Sequence, residues 1–400
     1  MLWRDRHTTN IDHQFNDKEG ALLMSDRPVL VHLQNHFQAG AIPHIIRDIQ
    51  PQIGQFFDVH VVVLQGVTND ADFLAELEGD GITFHILGCG RRNLILGAYR
   101  LRRILATLKP DLVHAHAGRA SMLAPFCVPR YVPVVVTYHS VRTGYNFFTR
   151  NLRMVTDSFV SARTAVSNEA ARSWGAFTAG RIDRIYNPVD YRHYEVPYGD
   201  VARVRTEFGA TSQIPLVVSV GRLTRAKNQD TLLRAMAVAV GAGLGPFRLV
   251  IAGRGPEKST LKQLSKDLGI GESVIFAGFR RDIPELLAAA DVFAFPSRWE
   301  GLGIAALEAM AAGTAVVAAD LDVIREYITD GETGLLTSPE DADKLSKKIQ
   351  QLITDKDLRK NVAENGRKRV RDIFSAENIG SQYLKLYQAL ATTGAPPGKY

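Results

Sequence analysis

Cysteine is almost absent: Cys89 and Cys127 are the only two in 400 residues. Two thiols build neither a disulfide framework nor a four-thiolate zinc site, and the pair reads as reduced thiols. No apolar run reaches the roughly 18 residues that a membrane-spanning helix needs. The longest candidate, near Ala120–Tyr138, is broken by Pro125, Pro129, Arg130 and Pro133. No fixed-period repeat appears and no RNA or DNA module matches, so nucleic acid is not an expected partner. Met1–Arg6 is followed by no apolar run and does not read as a secretory leader. These lacks predict a cytoplasmic protein.

A composition of 46% hydrophobic and 22% charged residues is that of a globular protein, not a disordered or fibrous one. The length predicts more than one domain. The net charge of +6 is unevenly spread: −7 over residues 1–80, +9 over 81–170 and +4 over 171–400. One segment is therefore strongly basic and would attract an anionic partner.

Residues 1–26 are polar and aperiodic and are read as a disordered extension. From Val29 short apolar runs alternate with helix-length segments. Expected strands are Val29–Leu33, Val59–Leu64, Thr83–Leu87, Leu112–His116, Val132–Tyr138, Phe159–Val166 and Ile182–Tyr186. The chain turns near Asn187-Pro188-Val189-Asp190, and a second series follows: Leu216–Val220, Arg248–Ala252, Val274–Phe276, Val292–Phe295 and Ala315–Ala318. Such alternation predicts parallel sheets covered on both faces, an α/β class. The expected domains are 27–190 and 191–375, with a final helix and tail, 376–400, returning to the first domain. Two doubly wound sheets leave a cleft at the carboxyl ends of their strands, where such sheets bind ligands.

The second unit holds most of the chemistry. After Leu216–Val220 come Gly221-Arg222-Leu223-Thr224-Arg225-Ala226-Lys227-Asn228 and then a helix. Cations at a helix start in a cleft suit a diphosphate; alone, each is more often a solvated surface charge. Gly253-Arg254-Gly255-Pro256 is neither a complete dinucleotide fingerprint nor a Walker loop; it supports only close backbone approach to a ligand. Gly278-Phe279-Arg280-Arg281 follows the next strand. Then come Pro296-Ser297-Arg298-Trp299-Glu300-Gly301-Leu302-Gly303 and a helix through Glu308. The free amides at that helix start suit an anion. Glu300 and Glu308 suit hydroxyl donors; the plainer alternatives are a helix cap and a solvated helix residue. Glu308 lies among Ala305, Ala306, Leu307, Ala309 and Met310, so its carboxylate should have a partner.

The series Glu300-Gly301-Leu302-Gly303-Ile304 … Leu307-Glu308-Ala309 resembles the glutamate–seven–glutamate signature of glycosyltransferase family 4. The resemblance extends to Gly221-Arg222, Lys227-Asn228, Gly253-x-Gly255-Pro256 and Gly331-x-Thr333-Gly334-Leu335-Leu336. It implies the GT-B fold, two Rossmann-like domains facing a cleft. It also implies a retaining transfer from a nucleotide sugar, UDP- or GDP-linked, to a hydroxyl acceptor, with no metal and no other cofactor. The roles it implies are these. Arg222 and Lys227 hold the diphosphate. Glu300 and the backbone of Gly301, Leu302, Gly303 and Ile304 hold sugar and β-phosphate, and Glu308 takes the ribose hydroxyls. Gly253, Arg254, Phe279 and Arg280 lie near nucleoside and base. In the first unit it places His116 in the cleft, on the acceptor side, with His139 a second candidate. Gln38-Ala39-Gly40 replaces the usual glycine pair, leaving Gly40 for close approach.

Period two puts His114 and His116 on one strand face. The pair could bind a metal, but no third ligand is near in sequence. Asp320-Leu321-Asp322 could suit a metal-dependent transferase, yet Asp322 is better read as a helix cap. Residues 91–105 form a basic amphipathic helix, and Arg142–Arg150 interleaves cations with Tyr145, Phe147 and Phe148. Both could dock an anionic membrane surface or a lipid-linked acceptor, as in bacterial polysaccharide, exopolysaccharide or lipopolysaccharide synthesis. The plainer alternative has Leu94, Leu101, Leu105 and Leu108 on the sheet and the arginines solvated. Rival functions are a sugar-nucleotide epimerase, a phosphorylase on the same fold, and a catalytically silent sugar-binding subunit.

Overall fold

A computed structural model describes residues 27–37, 41–66, 71–89, 93–116, 118–142, 151, 155–178 and 180–393. The extension 1–26, Gly40, Arg91, Arg92, Tyr145, Phe147 and Phe148 lie outside the described residues.

Thirteen strands form two all-parallel sheets among these residues. The first contains β1 (Val29–Gln34), β2 (Asp58–Val63), β3 (Thr83–Ile86), β4 (Leu112–His116), β5 (Val134–Tyr138), β6 (Ala162–Ala165) and β7 (Asp183–Arg184). Their order is β3-β2-β1-β4-β5-β6-β7. The second contains β8 (Leu216–Val220), β9 (Arg248–Ala252), β10 (Val274–Gly278), β11 (Val292–Phe295), β12 (Ala315–Ala319) and β13 (Leu335–Thr337), in the order β10-β9-β8-β11-β12-β13. Strand order therefore reverses between β1 and β4 and between β8 and β11, and each reversal opens a crevice at the strand ends. Central strands are buried on both faces, which accounts for their nearly continuous apolar composition.

Strand limits differ where local chemistry intervenes. β5 starts at Val134 because Pro133 has no N–H for the ladder. β6 is shorter than its apolar run because Asp157–Phe159 is a tight helical turn. Asp322 does not cap: it is the first residue of helix Asp322–Arg325, whose cap position is Leu321 with no side-chain bond.

Two chain crossings join the domains side by side. The Val189 amide donates to Phe374 O at 2.8 Å, and Val189 bridges to Ser375. Beyond the second crossing, helix Ala376–Thr393 packs on helix Ala41–Ile53 of the first domain. Its Tyr383 and Tyr387 are fully buried there. Among the described residues, no helix is long and apolar enough to cross a membrane.

Candidate active site

The β8 and β11 loops meet at the second reversal. Asn228, at φ 55°, donates its amide to Pro296 O at 2.9 Å and accepts from the Thr231 hydroxyl. Arg298 reaches back to Arg225 O at 2.7 Å, to Asp230 at 3.2 Å and to Glu340 at 2.5 Å. These ties hold Lys227 against Glu300, Nζ to Oε1 2.5 Å, with Nζ 5.1 Å from the centre of the Phe295 ring. Glu300 is only 11% exposed, so its carboxylate depends on that cation. It is not a helix cap: Gly303 holds the cap position of helix Ile304–Ala311 with φ +87°. A side chain there would strike the Tyr327 hydroxyl and the Phe295 ring. Arg222 is exposed and has no ion-pair partner among the described residues.

Glu308 sits in that same helix, deeper than Glu300. Desolvation pushes its pKa up to about 7, against a hydrogen bond from Tyr194 and the nearby cations Arg47 and Lys227. The neighbours that offset this desolvation are Tyr194, on the linker between the domains, Arg47 and Lys227.

Across the cleft, four histidines pack together. His32 pairs with His114 in the β1–β4 register, and the tilted rings of His114 and His116 lie 4.0 Å apart between centres. His116 Nε2 is 2.9 Å from His32 Nδ1, and its Nδ1 is 3.2 Å from His139 Nε2. His114 bonds the Tyr387 hydroxyl and Thr137, each at 2.6 Å. Burial lowers His32 to a pKa of about 3 and takes His114 and His116 well below the usual imidazole value, so all three are neutral. His116 is 1% exposed. His139, after β5, lies beside it and is half-buried. A third potential ligand, His32, does lie beside the pair: the nitrogens of His32, His114 and His116 come within 4.8 Å of one another. Protein hydrogen bonds engage every nitrogen of the three except His32 Nε2, so the trio is a polar network rather than a vacant ligand set.

The two domains touch at the site itself. The Ser167 hydroxyl donates to Gly301 O at 2.7 Å. A β-carbon on Gly301 would stand 2.1 Å from His139 O. Glu326 accepts from the amides of Asn168 and Glu169, at 2.9 and 3.0 Å, at the start of helix Asn168–Gly175, and from the Tyr186 hydroxyl at 3.0 Å.

Residues 201–369 match the family model described as glycosyl transferases group 1, and residues 52–193 match that of Glycosyltransferase Family 4. The chain belongs to glycosyltransferase family 4. Its similarity to the lipopolysaccharide core biosynthesis glycosyltransferase LpsE of Rhizobium meliloti is 36% identity over 186 residues, 46% of this chain. That match spans about half of LpsE, 53%. The alpha-D-kanosaminyltransferase of Streptomyces kanamyceticus is 28% identical over 369 residues, 87% of this chain and 93% of that one. Among solved structures, Anabaena Alr3699/HepE in complex with UDP and glucose superposes with a TM-score of 0.80 at 23% identity. It covers 91% of this chain and all of the other. The family 4 chain thus has the GT-B fold.

Some expected donor contacts fall differently in the family 4 chain. At Gly253 and Gly255 the close approach that the structure shows is to protein. Their β-carbons would lie 1.9 Å from Gly221 O and 2.1 Å from Leu223 O, so the glycines let the β8 and β9 loops stack. Arg280 is spent on Glu207 and Asp282, both at 2.5 Å, leaving only its backbone for a nucleotide. Arg254 lies over the Phe279 ring, 5.3 Å from its centre, and Phe279 is 45% exposed, a platform on which a base can stack. Leu302 is core, 3% exposed. Sequence reasoning missed Tyr194, His32, Arg298 and Glu326.

Proposed function

We propose that the chain is a retaining glycosyltransferase that moves a sugar from a nucleoside diphosphate sugar to a hydroxyl acceptor in glycan assembly. The observation that carries this is the Lys227–Glu300 pair, at the strand-order reversal beside the start of helix Ile304–Ala311. Lys227, Arg222 and the helix amides take the diphosphate. Glu300 takes the sugar hydroxyls, Glu308 the ribose diol and Phe279 the base. The names of LpsE and HepE, a lipopolysaccharide core enzyme and a protein solved with UDP and glucose, support donor and pathway class.

The resemblance to family 4 implies front-face substitution, and among the described residues no side chain is assigned as a nucleophile. The bond from the anomeric carbon to the leaving phosphate breaks as the acceptor oxygen bonds on the same face. The leaving phosphate oxygen takes the acceptor proton. The protein positions the partners and stabilises the departing charge. Those cations are protein side chains, so transfer is expected to survive EDTA; loss restored by magnesium or manganese would overturn this assignment. Thermal-shift screening against UDP-, GDP- and ADP-linked sugars tests the donor class. One donor should raise the melting temperature and then be consumed with an acceptor, a product that epimerase, phosphorylase and silent-subunit readings do not give.

A membrane-facing surface is a second element of the reading. On helix Leu94–Leu108, Leu101 and Leu105 are buried, while Ile95 is 86% exposed and Tyr99 57%. Exposed Phe126 and Phe159 pack on each other nearby, with Tyr131 open to solvent. Arg102 ties this helix to Phe126 O, and Arg100 to Leu87 O. Apolar tips among arginines suit an anionic bilayer that carries a lipid-linked acceptor, each cation contributing about 1 kcal/mol. The chain is expected to sediment with anionic vesicles and not neutral ones, and to be released by salt. The triple variant I95S/Y99S/R103Q should lose this binding and keep donor affinity; sedimentation equal to the wild type would place the contact elsewhere.

A further inference from the structure

The start of helix Asn168–Gly175 is capped from both domains at once. Ser167, in extended backbone, holds the cap position, and its hydroxyl accepts from the Ala170 amide at 3.0 Å. The two amides ahead of that one, of Asn168 and Glu169, donate to the two carboxylate oxygens of Glu326, which belongs to the second domain. Of the first three amides of the helix, two are thus filled from the opposite domain. A carboxylate at this end also meets the positive pole of the helix. Tyr186, near the end of the first domain, donates its hydroxyl to the same carboxylate.

Accepting from Ala170 leaves the Ser167 hydroxyl its proton to donate, and Gly301 O takes it at 2.7 Å, across the domain boundary. Ser167 is fully buried, where a hydroxyl needs such a partner. Tyr327, the neighbour of Glu326, brings its hydroxyl within 3.4 Å of Gly303 O in the same loop. Two adjacent residues therefore serve both sides: Glu326 holds the helix that carries Ser167, and Tyr327 lies against the glycine loop. A peptide unit is planar and trans, so its C=O and N–H point opposite ways. Fixing Gly301 O fixes the direction of the Leu302 amide. A hydrogen bond at the carbonyl oxygen also polarises that N–H and makes it a better donor.

We propose that Ser167 is a positioning residue for the donor, supplied by the first domain. Its hydroxyl sets the Gly301–Leu302 peptide so that the Leu302 amide serves the β-phosphate and sugar, and Glu326 holds it there. The donor pocket is then complete only while the two domains are in contact. This rests on the assignment, made above, of the backbone at this helix start to the donor.

The test is calorimetric titration of wild type and Ser167→Ala with matched series of ligands. They are UMP, UDP and UDP-glucose; GMP, GDP and GDP-mannose; and AMP, ADP and ADP-glucose. The series that binds most tightly is followed. The quantity read is the dissociation constant of the monophosphate divided by that of the nucleotide sugar, which isolates what lies beyond the first phosphate. Ser167→Ala should cut this ratio about three- to tenfold, the worth of one hydrogen bond, and leave monophosphate affinity as it was. A residue that only caps its helix would lower the melting temperature and leave the ratio alone. Glu326→Ala, which spares the bond between Ser167 and Ala170, should cut the ratio in the same direction. It carries the test if Ser167→Ala melts too low to assay. An unchanged ratio in either folded variant, or equal weakening of all ligands in the series, leaves Ser167 a helix cap and overturns the proposal. A wild-type ratio near one, or no binding in any series, would instead sink the donor assignment of the loop itself.

Discussion

Gly301→Ala is expected to cut transfer by about 100-fold or more while leaving the melting temperature within a few degrees of wild type. The added β-carbon would stand 2.1 Å from His139 O, 2.9 Å from His139 C and 3.0 Å from Ser140 Cα, all backbone of the opposite domain. Backbone on both sides leaves no side chain to swing aside. The φ of Gly301 is not among the positive values, so alanine is not strained within its own loop. The clash is therefore relieved by parting the domains, at the cost of the Ser167 bond to Gly301 O. Parting withdraws the His139 side of the cleft from the donor side and costs rate through misplacement rather than unfolding. Turnover, a thermal melt and small-angle scattering on one preparation check this. Wild-type turnover would show that closure at this contact is not needed.

Lys227→Ala carries the second large effect, a loss of about 100- to 1,000-fold in turnover with the fold intact. Two deficits add. The diphosphate loses a charge-assisted contact of about 1.5–3 kcal/mol. Glu300, 11% exposed, is left with its charge uncompensated, and breaking a buried pair from one side costs about 3–5 kcal/mol. The two do not sum fully, because Glu300 can protonate or turn to water. Lys227→Arg should recover part of the rate, since it restores charge with a different reach. Single-turnover measurements at saturating donor separate binding from chemistry, and unchanged rates in Lys227→Ala would remove this lysine from the diphosphate site.

The sheet cores were legible because buried parallel strands are apolar throughout. Leu216–Val220 and Arg248–Ala252 keep their expected limits. β13 was not, since Leu335–Thr337 is three residues long and its sequence had been read only as part of a motif. On the donor side Glu300, Glu308 and Lys227 were singled out by their places around helix starts, and their roles came from the resemblance to the family signature. The histidine layer was visible only in part. His114 and His116 declare themselves by alternation, but His32 joins them from a strand 84 residues away in the His32–His116 contact. Glu326, 158 residues from Asn168, leaves no local signal. Glycines were read for their freedom and could not declare their neighbours: Gly253 and Gly255 serve the stacking of two loops.

The paired crossings at Val189 and Phe374 have a mechanical consequence. A single connecting strand is a swivel, free to twist as well as bend. Two strands bonded side by side form a strap, which bends across its width and resists torsion. Such a strap favours bending of one half against the other over twisting. The same arrangement sets Gly301 against the carbonyl of His139 and the Glu326 carboxylate against the start of helix Asn168–Gly175. Alignment at the far edge of the cleft is thus set by the strap and need not be searched for anew on every turnover.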